Sequence, residues 1–164
     1  MKKNVSRRHF LLQSAIGTAG LITLPSWKAK AQNGKPKLDA QLVHDFVYDA
    51  HGNLDSVKKM LEKEPGLLNA TMDWGAGDFE TALEAAGHMG RKDIALFLLE
   101  NGGRMNIFCA AMLGKLDIVK GVLSAFPDLK TSKGPHGLKL IHHATQGGEE
   151  AKAVLTYLKE IGAG

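Results

Sequence analysis

The sequence predicts an all-α repeat protein of about four helix–turn–helix units, and three observations carry that expectation. Apolar residues recur with the helical period, as in Leu42, Val43, Phe46, Val47 and Ala50, or Ile94, Leu98 and Leu99. Glycines divide pairs of such stretches at Gly52, Gly90, Gly114 and Gly148, at spacings of 38, 24 and 34 residues. Each pair is too short to bury its own apolar face, so its neighbours must cover it.

The best-formed unit runs from Thr81 to Gly102. Its first helix carries small residues at Ala82, Ala85, Ala86 and Gly87, which let a neighbouring backbone come close. Its second helix, with Ile94, Leu96, Phe97, Leu98 and Leu99, is too apolar for a lone surface helix. Asp93 falls in the first turn, where a carboxylate favours the positive end of the helix dipole, and Gly102 follows the last turn as a C-terminal stop. Thr81-Ala82-Leu83-Glu84-Ala85-Ala86, together with Gly90, Ile94, Leu98, Leu99 and Gly102, resembles an ankyrin repeat, with Ala82 in place of the signature proline and Glu84 in place of its histidine. That family repeats at about 33 residues. The resemblance implies an ankyrin-like solenoid whose approximate repeats are 40–78, 79–104, 105–137 and 138–164.

The other units share its columns. Gly52-Asn53-Leu54-Asp55-Ser56-Val57 repeats the glycine and the acid three residues on, and Pro65 ends that helix. Val43 and Asp45 replace Thr81 and Leu83, a departure suited to a capping repeat. Gly66 to Glu80 forms a long connection with turn chemistry at Asp73-Trp74-Gly75-Ala76-Gly77-Asp78, where ankyrin arrays place a projecting finger. After Gly102-Gly103 the next helix begins almost at once at Ile107, so one finger is missing. A second long connection holds Lys130, Lys133 and Gly134-Pro135-His136-Gly137. In the last unit His142 aligns with the signature histidine and Ala144 with its alanine, while the second helix needs one extra residue to bring Leu158 and Gly162 into line.

The chain has 164 residues and a net charge of +4, unevenly placed. The first 31 residues hold six basic side chains and no acid, so the remainder has 15 basic against 17 acidic residues, a net of −2. With no basic stripe in the body, nucleic-acid binding is not expected. Ser6-Arg7-Arg8-His9-Phe10-Leu11-Leu12 resembles a twin-arginine (Tat) export motif, carried by Arg7, Arg8, Phe10 and Leu11. The apolar run from Phe10 to Leu24 is diluted by polar and glycine residues and falls short of the about 20 residues a bilayer anchor needs. Ala29-Lys30-Ala31 offers a cleavage site at Ala29 and Ala31. The resemblance implies a Tat signal peptide over 1–31, a linker over 32–39, a repeat domain over 40–164, and a bacterial protein that meets the Tat translocase and ends periplasmic or secreted without a stable membrane anchor. The alternative is an ordinary Sec signal that carries two arginines.

No catalytic, cofactor or metal site is expected from these residues. Adjacent His142 and His143 point about 100° apart on a helix, and His44 and His51 are too far apart for one chelate without a partner helix. His142 is expected to make the family's structural hydrogen bond, with the other histidines solvated. Cys109, the single cysteine, lies in an apolar helix and reads as a buried, inert thiol. No two carboxylates are expected to converge. The ankyrin-like stack instead implies a non-catalytic protein-binding module, able to escort or support another exported protein. Its expected contact residues are Asp73, Trp74, Asp78 and Phe79 on the first finger and Lys133 and His136 on the second. Trp74 has a second option, folding back onto the helices. The rival expectation is a small periplasmic metal-binding protein or enzyme that uses His136, His142 and His143.

Overall fold

The computed structural model describes residues 36–163. The export motif with Arg7, Arg8, Phe10 and Leu11, and the cleavage site at Ala29 and Ala31, lie outside the described residues. Among those described, the chain is mostly helical, with one small antiparallel hairpin.

Among the described residues, eight α-helices alternate between two rows. The inner row is α1 (Ala40–Asp49), α3 (Ala82–His88), α5 (Ile107–Met112) and α7 (Leu140–Gln146). The outer row is α2 (Leu54–Lys63), α4 (Lys92–Glu100), α6 (Leu116–Ala125) and α8 (Lys152–Glu160). Each inner helix packs on the outer helix that follows it and on the next inner helix, and α3 also reaches α7.

Local chemistry sets these boundaries. Asp39 caps α1 and Asn53 caps α2, each accepting from a backbone N–H three residues on. Thr81 and Glu84 form a reciprocal capping box at the start of α3. Asp55, Asp93 and Asp117 fall in the first turns of α2, α4 and α6, where the helix dipole favours them. Gly90 and Gly114 turn the chain between inner and outer helices at φ +69°, a left-handed conformation that disfavours a side chain. A Cβ on Gly114 would also overlap the Glu150 carbonyl oxygen. A 3-10 turn over Gly148–Ala151 absorbs the extra residue of the last unit.

The central inner helices α3 and α5 are short and rich in alanine, so they approach closely and bury almost completely. Phe46, Val47, Val57, Ala85, Ala86, Ile94 and Leu98 form the core of the first two pairs, joined by Cys109 and Met112 from α5. The other side of α5, through Ala110 and Ala111, joins Val119, Leu140, Val154 and Leu158 in a second cluster. Cys109 is buried, and that burial pushes its thiol up to about 12, as an inert core cysteine requires.

Two loops project near the ends of the inner helices. The first carries strands β1 (Thr71–Asp73) and β2 (Phe79–Thr81), paired antiparallel with Met72 opposite Glu80. The second bends at Pro135–Gly137 and is tied by a bridge between Lys133 and Lys139. Between α4 and α5 the chain has no such loop, and the Arg104 backbone N–H donates to Asn69 instead.

Candidate metal centre

The two loops and two inner helices bring His51, Glu80, His88 and His136 together. One donor atom from each lies within 4.8 Å of the others. His51 follows the end of α1, His88 ends α3, Glu80 is the middle residue of β2, and His136 sits in the second loop. Because α1 and α3 pack side by side, residues at their C-terminal ends share one edge of the inner row.

Glu80 is completely buried, an unusual place for a carboxylate without compensation. Strand alternation turns Glu80 inward while Phe79 points to solvent with 59% exposure. The Trp74 indole N–H donates to Glu80 Oε2 at 2.8 Å. His51 Nε2 and His136 Nε2 each lie 3.5 Å from the same oxygen. His88 Nε2 stands 2.9 Å from Glu80 Oε1, yet it aligns instead with His51 Nε2 at 3.2 Å, and Oε1 has no hydrogen-bond partner among the described residues. Burial pushes the Glu80 carboxyl up, but the surrounding His88, Trp74 and His51 more than offset it, and its pKa is lowered overall. Glu80 is therefore ionised at neutral pH.

The outward nitrogens of two imidazoles are already used. His51 Nδ1 lies 3.0 Å from the Val47 carbonyl, an acceptor, so this nitrogen carries the hydrogen and Nε2 presents a lone pair. His136 Nδ1 lies 2.8 Å from Asp78 Oδ2, and the His136 backbone N–H donates to Asp78 Oδ1 at 2.8 Å. That backbone bond, opposed by burial and supported by the ring, holds the Asp78 carboxyl below the usual range. A neutral His136 with its proton on Nδ1 would turn a lone pair toward Glu80, whereas an imidazolium would bridge Asp78 and Glu80. These tautomers are assigned from the hydrogen-bond network. With both rings neutral, two imidazole lone pairs and a carboxylate face one another with only the His88 and Trp74 N–H groups between them. A cation resolves that conflict.

The donor set suits a transition metal. A tetrahedral ion about 2.1 Å from its ligands keeps ligand atoms about 3.4 Å apart, and the 3.2 and 3.5 Å separations here lie near that value. Imidazole with carboxylate favours zinc, iron, copper or nickel over calcium. Asp78 behind His136 and the Val47 carbonyl behind His51 are the outer partners that orient metal-binding histidines.

Several expectations need correction. The histidines other than His142 are not simply solvated: His143 is fully buried and His88 nearly so. Asp78 and Glu80 do converge, both on His136. His142 makes an inter-unit hydrogen bond, with Nε2 3.0 Å from the His88 carbonyl. His143 Nδ1 turns to the Lys139 carbonyl at 3.1 Å, so His142 and His143 diverge and neither joins His136.

The expected contact residues fall into different settings. The Asp73 carboxylate accepts from the Gly75 and Gly77 backbone N–H groups and so shapes the hairpin tip. Trp74 is half-buried, bonded to Glu80 and edge-on to the rings of His44 and His51. Asp78 and His136 belong to the cluster, whereas Phe79 and Lys133 are exposed.

Sequence reasoning missed His51, Glu80 and His88. A signal existed: His51 stands one residue and His88 two residues before successive inter-helix glycines, which puts them at equivalent ends of neighbouring helices. Only the folded loops reveal Glu80 and His136 as their companions. No protein-family model, curated protein or solved structure matches the chain.

Proposed function

We propose that this is an exported, ankyrin-like repeat protein that binds a divalent transition metal through His51, Glu80, His88 and His136. The observation that carries this reading is the convergence of three imidazoles on the fully buried Glu80, one donor atom from each of the four residues lying within 4.8 Å of the others. Two ligands come from the helix stack and two from the loops, so the ion ties the loops to the repeats. The rival arrangement is an imidazolium–carboxylate cluster, in which a proton on His136 replaces the metal.

Isothermal titration of the purified protein with zinc or cobalt(II) separates the two. One equivalent of metal is expected to bind. Glu80→Gln and His88→Ala should each weaken it by at least about tenfold, since even outer-shell losses cost about 10–100-fold. A protein that takes no metal at neutral pH, or binds equally in both variants, would refute the metal centre.

A second reading has its own observation. Phe79 is 59% exposed on the first loop, beside a hollow of about 250 Å³ that includes Phe108, Lys133 and Pro135. An exposed aromatic at the rim of a hollow with both charged and apolar walls supports a protein-binding surface on the same stack. Because Asp73 and Trp74 are committed to internal bonds, Phe79→Ala is the cleaner probe. It should abolish recovery of a partner in pull-downs while leaving metal stoichiometry intact; unchanged recovery would remove Phe79 from the interface.

A further inference from the structure

A pocket of about 610 Å³ opens directly over the cluster, and His51 and His136 belong both to its lining and to the candidate ligand set. Glu80 and His88 lie beneath, buried. An ion held by these four residues has its two half-exposed ligands on the pocket side, so an outside oxygen reaches it only as a fifth ligand, by expansion from four- to five-coordinate.

The walls limit what that oxygen belongs to. His51 lies between two aromatic rings: Trp74 is edge-on at 6.1 Å between centroids, and Tyr48 is tilted at 6.2 Å. Tyr48 is 62% exposed, so a ring face is open to a ligand. Asp49 and Asn53 supply the polar part. The Asp49 Oδ2 atom accepts from Ser56, and Asn53 Oδ1 accepts from the Ser56 backbone N–H. A second carboxylate oxygen and an amide NH2 group remain for a ligand. Among the described residues no lysine or arginine lines the pocket; the Arg91 guanidinium behind Gly52 is committed to the Gly52 carbonyl and to Asp93, and the Asp49 carboxylate opposes a phosphate or a polyanion.

Aromatic faces suit the C–H face of a ring, a carboxylate and an amide suit hydroxyls that both donate and accept, and a metal edge suits hydroxyl or carbonyl oxygen. We infer that the pocket binds a small neutral sugar, stacked on Tyr48, with a ring or hydroxyl oxygen directed to the metal as a fifth ligand. This inference rests on the metal centre proposed above, to which it adds a ligand class.

Full-length protein loaded with cobalt(II) provides the test, because the visible absorption of cobalt reports changes in its coordination. Titration with a panel of neutral pentoses and hexoses should give saturable one-to-one binding by at least one sugar, with a shift in the cobalt bands. Inorganic phosphate should leave the bands unchanged. Tyr48→Ala truncates an exposed side chain outside the ligand set. It should weaken the sugar roughly tenfold and keep cobalt stoichiometry. Cobalt retained with no sugar bound, bands moved by phosphate alone, or equal sugar affinity without Tyr48 would each overturn the sugar site and leave the metal centre standing. Failure to hold cobalt at all would overturn both.

Discussion

At the scale of single residues, the histidines divide by the fate of their second nitrogen. His51 and His136 use one nitrogen for a backbone or carboxylate anchor and turn the other to Glu80. His143 also anchors one nitrogen, at the Lys139 carbonyl, but its Nε2 is buried with no partner among the described residues. Burial pulls the His143 pKa down to about 4 from an ordinary 6.5. The unfolded chain then binds a proton at this residue that the native state refuses. Stability is undiminished above about pH 6.5, falls as pH drops toward 4, and levels off below; the loss is about 3 kcal/mol from this group. Urea midpoints measured across this range should show the decline, and His143→Leu should flatten it. An unchanged slope in that variant would assign the acid sensitivity elsewhere.

At the scale of elements, the short inner helices depend on turns that admit no side chain. Gly114 combines φ +69° with close approach to the Glu150 carbonyl, so Gly114→Ala meets both backbone strain and overlap. The expected loss is about 3 kcal/mol, read from denaturant midpoints. Gly148, equally left-handed but with open space around its missing Cβ, is the internal comparison and should lose less on the same change. These elements were the legible part of the chain. Pro65 marked a helix end, Asp93 a first turn and Gly102 a stop, because capping and dipole effects act over a few residues. The hairpin was legible only as a turn. Its strands are three residues each, and what fixes their facing is the burial of Glu80, a tertiary fact.

At the scale of the whole molecule, the candidate site escaped sequence reasoning because its members are distributed. His51 and His136 are 85 residues apart and meet through packing of α1 on α3 and the inward reach of the second loop. A search for ligands at helical or hairpin spacing passes over such a set. The same distribution makes the proposed metal a staple for the fold. At free metal one hundred times the dissociation constant, mass action adds about 2.7 kcal/mol to stability. Calorimetry should show a higher melting temperature with zinc than with a chelator, and the difference should vanish in Glu80→Gln. Equal melting temperatures would mean that the loops hold their places without the ion.

The assembly of four ligands from separate places has one more consequence. No contiguous fragment ending before residue 136 holds the full set, and neither does one beginning after residue 51. Occupancy by the proposed metal would thus be a gauge of completion. A chain that has formed its first two helix pairs but not its second loop offers three ligands, and only the finished stack offers four. Followed during refolding, the fourth coordination event would timestamp the moment the last loop arrives.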